Sequence, residues 1–321
     1  MKYTMLGTTK IPQIAVGTWS WGTGPMGGSQ IFGSHLQETD LKPVFDRALQ
    51  MGCTLWDTAP VYGMGAAETI LGHLGHGNPA LQLSTDFLPV ALQRQCAMER
   101  SLDRSLYRMG TDHAELFWIH APRNIAKWTR ALIPLLASGK LRYAGVCNHT
   151  LSEIKAADRI LRQAGFRLAA VQNHYSLLYR VPEETGILQW CRQNGAVFFA
   201  NMVLEQGALT ARYTPTQPMP KRTRRGRAYP PMVLKRLEPL LSLMERIGQK
   251  HRADAAQIAI AWAIAKGTVP IVGMTKPHQV CSDALAVHIR LTRDEITQLE
   301  QEADRTGVKI PGPWEKELCP Q

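Results

Sequence analysis

The sequence predicts an α/β fold in one domain, a (β/α)8 TIM barrel that spans residues 1–321. Short apolar or β-branched segments alternate with longer amphipathic segments, which is the pattern of βαβ units around a parallel sheet. Eight such units close a barrel more readily than they fill an open sheet. No linker or change of composition divides the chain, and 321 residues is an ordinary length for one barrel.

The candidate strands are short and rich in apolar residues, and they cover 14–19, 54–59, 81–87, 115–121, 143–148, 170–175, 196–203 and 269–274. Amphipathic segments between them predict helices over 41–51, 92–109, 151–164, 182–194 and 254–265. Asp254 is an expected N-cap, and either Thr150 or Ser152 is expected to cap another helix. We expect residues 1–13 to form a hairpin that plugs the bottom of the barrel. The Gly-rich residues 20–33 should form a loop on the top face.

Composition and charge exclude several classes of protein. With 45% hydrophobic and 20% charged residues, the chain can bury a large core and is not a disordered chain. No apolar run reaches the roughly 18 residues that cross a bilayer, and the first residues lack a secretory signal, so we expect a cytoplasmic protein with no membrane partner. Its six cysteines lie apart, without a CxxC pair, and are interpreted as reduced thiols.

The net charge of +11 raises the question of an anionic partner. The one dense basic run, residues 221–227, has neither zinc-ligand spacing nor interleaved aromatic residues. We therefore expect no nucleic-acid partner. The run is expected to form a solvated loop or a loop that faces phosphate groups.

Polar side chains gather at the C-terminal ends of the predicted strands, where barrel enzymes build their sites. These residues are Asp57, Asp86, His120, Cys147, Asn148, Gln172 and Asn173, with Tyr62 shortly after Asp57. Burying polar groups inside a barrel is costly unless they are paired, so the cluster as a whole indicates a functional site. Trp19, Trp21 and Phe32 either line a pocket there or pack the loop onto the rim.

Six segments carry most of these residues: LWDTAPVYG (55–63), LFWIHAP (116–122), GVCNH (145–149), VQNHYS (171–176), QGALT (206–210) and PIVGMTK (270–276). In this order they resemble the aldo-keto reductase family, over about residues 3–306. The resemblance implies an NADP(H)-dependent oxidoreductase that acts on a small-molecule carbonyl/alcohol pair. It leaves the substrate's identity and the oligomeric state open, a homo-oligomer included.

The resemblance also implies roles for individual residues. Asp57, Tyr62, Asp86 and His120 occupy the positions of the catalytic tetrad. The cofactor-binding positions are Cys147, Asn148, Gln172, Asn201, Leu204, Gly273, Thr275, Lys276, Gln279 and Asp283. Trp19, Trp21 and Trp118 are expected in the substrate pocket, with further walls from residues 20–33, the stretch after His120 and residues 310–314. No metal site is expected.

Three positions depart from the family pattern. The tetrad of the family is Asp, Tyr, Lys and His, and Asp86 stands at the lysine position. Cys147 replaces a serine, and Asn201 replaces the aromatic residue that stacks on the nicotinamide. An anion at position 86 should raise the pKa of Tyr62 instead of lowering it. Asp57 and Asp86 are expected to share a proton as a like-charge pair.

Three functions stay open at this stage. The first keeps the redox chemistry of the family, with protonated His120 as the proton donor. The second is non-redox acid–base chemistry, an isomerase or lyase that uses the same four residues, with a divalent metal on Asp57, Asp86 and His120 as a variant. The third is a catalytically impaired cofactor-binding protein.

Overall fold

The protein, described by a computed structural model over residues 1–312, is a closed barrel of eight parallel strands preceded by an antiparallel hairpin. The hairpin pairs β1 (Tyr3–Leu6) with β2 (Thr9–Pro12). The barrel strands follow one another in chain order, and the last closes against the first. They are β3 (Ala15–Gly17), β4 (Leu55–Asp57), β5 (Gln82–Phe87), β6 (Ala114–Ile119), β7 (Leu141–Cys147), β8 (Leu168–His174), β9 (Val197–Asn201) and β10 (Val269–Gly273). The predicted fold class and all eight predicted strands are confirmed.

The hairpin closes the bottom of the barrel, as predicted. Leu6 and Ile11 are fully buried and pack with the side chains that fill the barrel interior. The hydroxyl of Tyr143, near the start of β7, accepts a hydrogen bond from the backbone N of Thr8 at 3.1 Å. Gly7 has φ +56° and lies against the Tyr143 ring, where a Cβ atom would collide. A glycine is therefore required at this turn.

Helices cover the outside of the barrel. They are α1 (Gly28–Ile31), α2 (Glu38–Gln50), α3 (Ala66–Gly75), α4 (Cys96–Met109), α5 (Ile125–Ala137), α6 (Leu151–Gln163), α7 (Val181–Glu184), α8 (Ile187–Asn194), α9 (Arg224–Ala228), α10 (Pro231–His251), α11 (Ala255–Ala265), α12 (Pro277–Leu285) and α13 (Arg293–Thr306). Short 3-10 turns cover Tyr62–Gly65, Glu205–Thr210 and Ala286–His288.

One predicted helix cap is confirmed, a second is assigned to one of its two candidate residues, and one predicted helix is divided in two. Asp254 caps α11 as predicted, since its side chain accepts from the backbone N of Gln257. Thr150, not Ser152, caps α6, because it forms a reciprocal capping box with Glu153. The helix predicted over 182–194 is broken at Gly186, whose φ of +80° is incompatible with a continuous helix.

The core has two layers, one inside the barrel and one between the strands and the surrounding helices. Leu55, Leu116, Trp118 and Phe199 belong to the inner layer, beneath the top face. Within residues 1–312, no helix is both long and apolar enough to span a bilayer. The five cysteines in this range form no disulfide.

Candidate active site

A cavity of about 640 Å³ opens at the C-terminal ends of the barrel strands. That volume is typical of a small-molecule or cofactor site. Most of the residues predicted for the site line it: Trp19, Asp57, Tyr62, His120, Asn148, Gln172, Asn201, Leu204, Gly273, Thr275, Gln279 and Asp283. The parallel strands bring these residues together because all their C-terminal ends face one side of the barrel.

The central contact of this cavity joins Asp86 and His120. Asp86 lies near the end of β5 and His120 directly follows β6, the next strand of the barrel. Oδ2 of Asp86 is 2.7 Å from Nδ1 of His120, and the Asp86 side chain is only 5% exposed. The other carboxylate oxygen, Oδ1, is buried and has no hydrogen-bond partner among the described residues. The charge of Asp86 therefore acts mainly on the imidazole ring, which reaches the cavity.

Asp57 has different partners, all of which are buried. Its Oδ1 accepts hydrogen bonds from Oγ of Ser84 at 2.6 Å and from Nε1 of Trp118 at 3.1 Å. Burial outweighs these two bonds and, with the nearby charge of Asp86, raises the pKa of Asp57 to about 7. The expected proton sharing between Asp57 and Asp86 is not seen as a direct bond. The two carboxyl groups interact through space, while Asp86 is bonded to His120 instead.

Tyr62 stands in the 3-10 turn after β4 and lines the cavity. Burial, followed by the charges of Asp57 and Asp86, raises the pKa of its hydroxyl well above the usual value. No hydrogen bond is formed by this hydroxyl within residues 1–312. Tyr62 is thus a neutral phenol that can donate a hydrogen bond to a ligand oxygen.

The side-chain amides of Asn148, Gln172 and Asn201 also line the cavity. Nδ2 of Asn148 donates to the backbone O of His120 at 2.9 Å, which leaves its Oδ1 as an acceptor. Nδ2 of Asn201 donates to Oε1 of Gln172 at 3.3 Å, so Nε2 of Gln172 remains a donor. Asn148 has φ +60°, a left-handed conformation that turns the chain out of β7. These amides can bind a planar group that carries both a donor and an acceptor.

Five predicted site residues lie outside the cavity lining. One is Asp86, which is bonded to His120 behind the lining. For the two tryptophans among the other four, this corrects the expected pocket position. Trp21 is fully buried and its Nε1 donates to the backbone O of Met274 at 3.0 Å. Trp118 points into the barrel interior, where it holds Asp57. Cys147 is also buried in that interior, and burial raises its pKa well above the usual thiol value. Lys276 is exposed just before α12.

The walls of the cavity differ from the prediction at one place, the stretch after His120. Met26 and Phe32, from residues 20–33, line the cavity together with Trp19. Ile310, Pro311 and Gly312 line it from the predicted 310–314 wall. The stretch after His120 does not line it among the described residues, and Leu88, after β5, does so instead. Pro313 and Trp314 lie outside the described residues. Trp19 stacks on Tyr62 with ring centroids 6.0 Å apart.

The opposite end of the cavity is formed by the turn after β10 and the start of α12. The backbone N and the hydroxyl of Thr275 both donate to Oε1 of Gln279, at 3.1 and 3.0 Å. Asp283 is 5% exposed, borders the cavity and forms no hydrogen bond in the described part of the chain. Burial, with the charge of Asp254 second, raises its pKa to about 8. It is therefore a neutral carboxylic acid at pH 7, with a donor and an acceptor.

The sequence left open whether the basic run, residues 221–227, is solvated or faces phosphate groups. In the structure, two of its arginines line the cavity. Arg224 and Arg225 line it from α9, and Arg225 lies over the rings of Tyr213 and Phe32. Nη1 of Arg225 also donates to the backbone O of Gln206 at 3.4 Å. Arg212, which the sequence analysis did not single out, lines the cavity as well. The run is therefore a cationic wall of the cavity.

A buried polar group that the sequence analysis missed supports this wall. Glu205 accepts hydrogen bonds from His174 (Nε2, at 2.7 Å), from Ser176 and from Tyr229, the residue that follows α9. The charge of His174 and these bonds hold the pKa of Glu205 below its usual value despite complete burial. A charged residue directly after the apolar run at 202–204 was the available signal. No group of His, Cys, Asp and Glu suited to a metal ion occurs in residues 1–312.

Comparisons with known proteins show the family and agree with the fold. The sequence profile of the Aldo/keto reductase family matches residues 13–304. An uncharacterized oxidoreductase of Mycobacterium tuberculosis is 30% identical, with 92% of each chain covered. Chloroplastic pyridoxal reductase of Arabidopsis thaliana is 29% identical over 93% of this chain and 85% of its own. An aldo-keto reductase from Klebsiella pneumoniae, solved with NADPH, superimposes with a TM-score of 0.71 at 23% identity, covering 91% of both chains.

Proposed function

The chain belongs to the aldo/keto reductase family, and from this premise we propose that it is an NADP(H)-dependent oxidoreductase that interconverts a small-molecule carbonyl compound and its alcohol. The observation that carries the proposal is the Asp86–His120 pair, whose imidazole lines the same cavity as Tyr62 and whose carboxylate acts on the Tyr62 hydroxyl. It supplies an ordered proton donor next to a neutral hydrogen-bond donor, which is what the reduction of a carbonyl oxygen requires.

The residues along the cavity suit a dinucleotide. Oδ1 of Asn148 and Nε2 of Gln172 would hold the carboxamide of a nicotinamide. Arg224 and Arg225 would face its phosphate groups, and the neutral Asp283 would pair with the base at the far end. The unbonded Tyr62 and Asp283 at opposite ends support this assignment, because both leave polar groups directed at a ligand. The Klebsiella relative, solved with NADPH, supports the choice of cofactor.

When bound, reduced nicotinamide supplies the hydride for the carbonyl carbon. Tyr62 holds the carbonyl oxygen but gives up its proton poorly, because its pKa is raised. The imidazolium of His120 donates the proton to that oxygen, and the charge of Asp86 stabilises the imidazolium before transfer. Asp57 keeps Ser84 and Trp118 in place behind the reacting groups. In the reverse direction, neutral His120 accepts the proton of the alcohol.

We infer that this arrangement replaces the lysine-supported tyrosine of the family. A lysine lowers the pKa of the tyrosine, whereas Asp86 raises it and favours a charged histidine. The role of proton donor therefore passes from Tyr62 to His120. A catalytically impaired cofactor-binding protein is the competing interpretation, and the assay below separates the two.

The cofactor preference follows from the cations. Lys276, at the N-cap of α12, and the arginines of α9 would favour the extra phosphate of NADP(H) over NAD(H). We also propose that the protein works in the cytoplasm as a single domain and has no nucleic-acid partner. Its oligomeric state stays open.

The test is loss of NADPH absorbance with a panel of aldehydes, ketones and quinones, pyridoxal included. We expect turnover of at least one carbonyl class, its loss in His120→Ala and Tyr62→Phe, and unchanged turnover in Tyr107→Phe, which alters an exposed tyrosine. Tight NADPH binding without turnover of any compound would favour the cofactor-binding protein.

A further inference from the structure

The reacting end of the cavity contains more acid–base groups than hydride transfer needs. The charges of Asp57 and Asp86 act on the Tyr62 hydroxyl, Asp86 is bonded to His120, and His120 and Tyr62 both border the cavity. A base fixed by a buried carboxylate, next to a neutral hydrogen-bond donor, is the arrangement that removes a proton from carbon beside a carbonyl group. This chemistry requires no nicotinamide.

We propose that the same site has a second, non-redox activity: enolisation of α-hydroxy carbonyl compounds, which exchanges their α-hydrogen and interconverts hydroxy-aldehyde and hydroxy-ketone. This activity does not depend on the proposed function, because no hydride enters or leaves.

The base is His120. Its Nδ1 is 2.7 Å from Oδ2 of Asp86. Because an ionised carboxylate can only accept, we assign the donated proton to Nδ1, which places the lone pair of the ring on Nε2. Asp86 fixes this tautomer and stabilises the imidazolium that forms on proton uptake. Burial strengthens the effect, because the Asp86 side chain is 5% exposed and water screens it little. A second Asp–His pair in the chain, Asp112 and His113, has the same bond at 2.6 Å, but the Asp112 side chain is 95% exposed.

The group that polarises the carbonyl is the hydroxyl of Tyr62. This hydroxyl, kept neutral by burial and by the two carboxyl groups, donates a hydrogen bond to the carbonyl oxygen as negative charge develops there. Lowered acidity is no disadvantage in this step, because the phenol stabilises charge and need not lose its proton. The amides of Gln172 and Asn201 provide a donor and an acceptor for a second oxygen, which favours an α-hydroxy carbonyl over a simple ketone.

The step balances without an oxidant or reductant. The α C–H bond breaks and its proton goes to Nε2 of His120, while the electron pair forms the C=C bond of an enediolate. The carbonyl electrons move to the oxygen that Tyr62 holds. Return of the proton to the same carbon gives exchange with solvent, and return to the neighbouring carbon after a proton moves between the two oxygens gives the isomer.

The test is deuterium exchange into dihydroxyacetone, dissolved in D2O at neutral pD with the full chain and no nicotinamide nucleotide. Proton NMR follows the loss of the methylene signal and the appearance of glyceraldehyde. We expect exchange above the enzyme-free rate, and a fall of roughly tenfold or more in Asp86→Asn and in Tyr62→Phe. Asp112→Asn removes the same charge from the exposed Asp–His pair and should leave the rate unchanged.

Two outcomes overturn the proposal. The first is exchange no faster than in buffer while NADPH-dependent reduction is intact, which removes the second activity and leaves the reductase standing. The second is exchange that Asp86→Asn and Asp112→Asn lower equally, which means that surface groups are responsible. Exchange by the wild type without any carbonyl reduction would instead uphold this activity and contradict the proposed function. Circular dichroism melting of each variant verifies that loss of rate is not loss of fold.

Discussion

The two ends of the cavity differ in how their polar groups are satisfied. At the reacting end, protein partners engage the carboxyl groups: Asp86 is bonded to His120, and Asp57 to Ser84 and Trp118. At the far end, Asp283 is almost buried yet forms no bond within residues 1–312. Under the proposed function, the reacting end controls where a proton resides, whereas the far end leaves its groups for a ligand. Changes at the two ends should therefore affect different quantities.

Asp86→Asn should have the largest effect, and that effect should be confined to the reacting end of the cavity. Without the carboxylate, the imidazolium of His120 loses its stabilising charge, so we expect kcat for carbonyl reduction to fall by roughly a hundredfold or more. The Kd of NADPH, measured by protein fluorescence, should change by less than about threefold, since Asp86 does not line the cavity. A large loss of NADPH affinity with little change in kcat would contradict the division between the two ends.

Restoring the family pattern should have a smaller and opposite effect. In the double variant Asp86→Lys with Asn201→Tyr, a cation again lowers the pKa of Tyr62, and an aromatic ring again faces the nicotinamide. We expect carbonyl reduction to rise by about tenfold or more, with Tyr62 as the proton donor. The single Asp86→Lys variant is the comparison, because Asp57 is held by Ser84 and Trp118 and is not placed for a lysine. An inactive double variant that still folds and binds NADPH would speak against a latent family mechanism.

Lys276→Glu tests the far end in the same way. The reversed charge at the N-cap of α12 should raise the Kd of NADPH about tenfold while changing the Kd of NADH and kcat little. Lys155→Glu, an exposed lysine on α6, is the matched control for net charge. Equal weakening of both nucleotides would show that Lys276 does not recognise the extra phosphate.

The smallest effect is expected on stability, through Asp283. Its folded-state pKa of about 8 exceeds the unfolded value of about 3.9, so the folded protein retains a proton that the unfolded chain has lost between these pH values. Stability should therefore fall as pH rises through this window and remain low above pH 8. Asp283→Asn removes the titration, and its Tm should exceed that of the wild type more at pH 9 than at pH 5. Asp46→Asn makes the same chemical change at a half-exposed side chain and is the matched control.

Strand periodicity and strand-end chemistry were readable from the sequence because both are local. The barrel strands, the bottom plug, and the convergence of Asp57, Tyr62, His120 and Asn148 followed from alternation and from the common direction of parallel strands. The hydrogen-bond partners of each polar group could not be predicted from the sequence. Trp118 was expected in the pocket, but its side chain points inward from β6, and one residue along a strand reverses the face.

The polar contacts between residues far apart in the chain could not be predicted from the sequence either. Asp86 was expected to pair with Asp57 on β4, but its carboxylate is bonded to His120 after β6, and this choice depends on side-chain rotamers. The Glu205 group joins β8, the turn after β9 and the end of α9, which are far apart in the chain. Such contacts depend on packing at distances of 24 to 31 residues, which no short motif encodes.

The most direct test of the central claim is transfer of label from deuterated NADPH. A single-turnover reaction with 4-deuterio-NADPH, prepared separately with label on each face of the ring, is run with the best carbonyl compound from the panel and analysed by mass spectrometry. We predict one deuterium on the former carbonyl carbon from one of the two labelled faces, and none in His120→Ala. Product without deuterium from either face, or NADPH bound but never oxidised, would contradict the account.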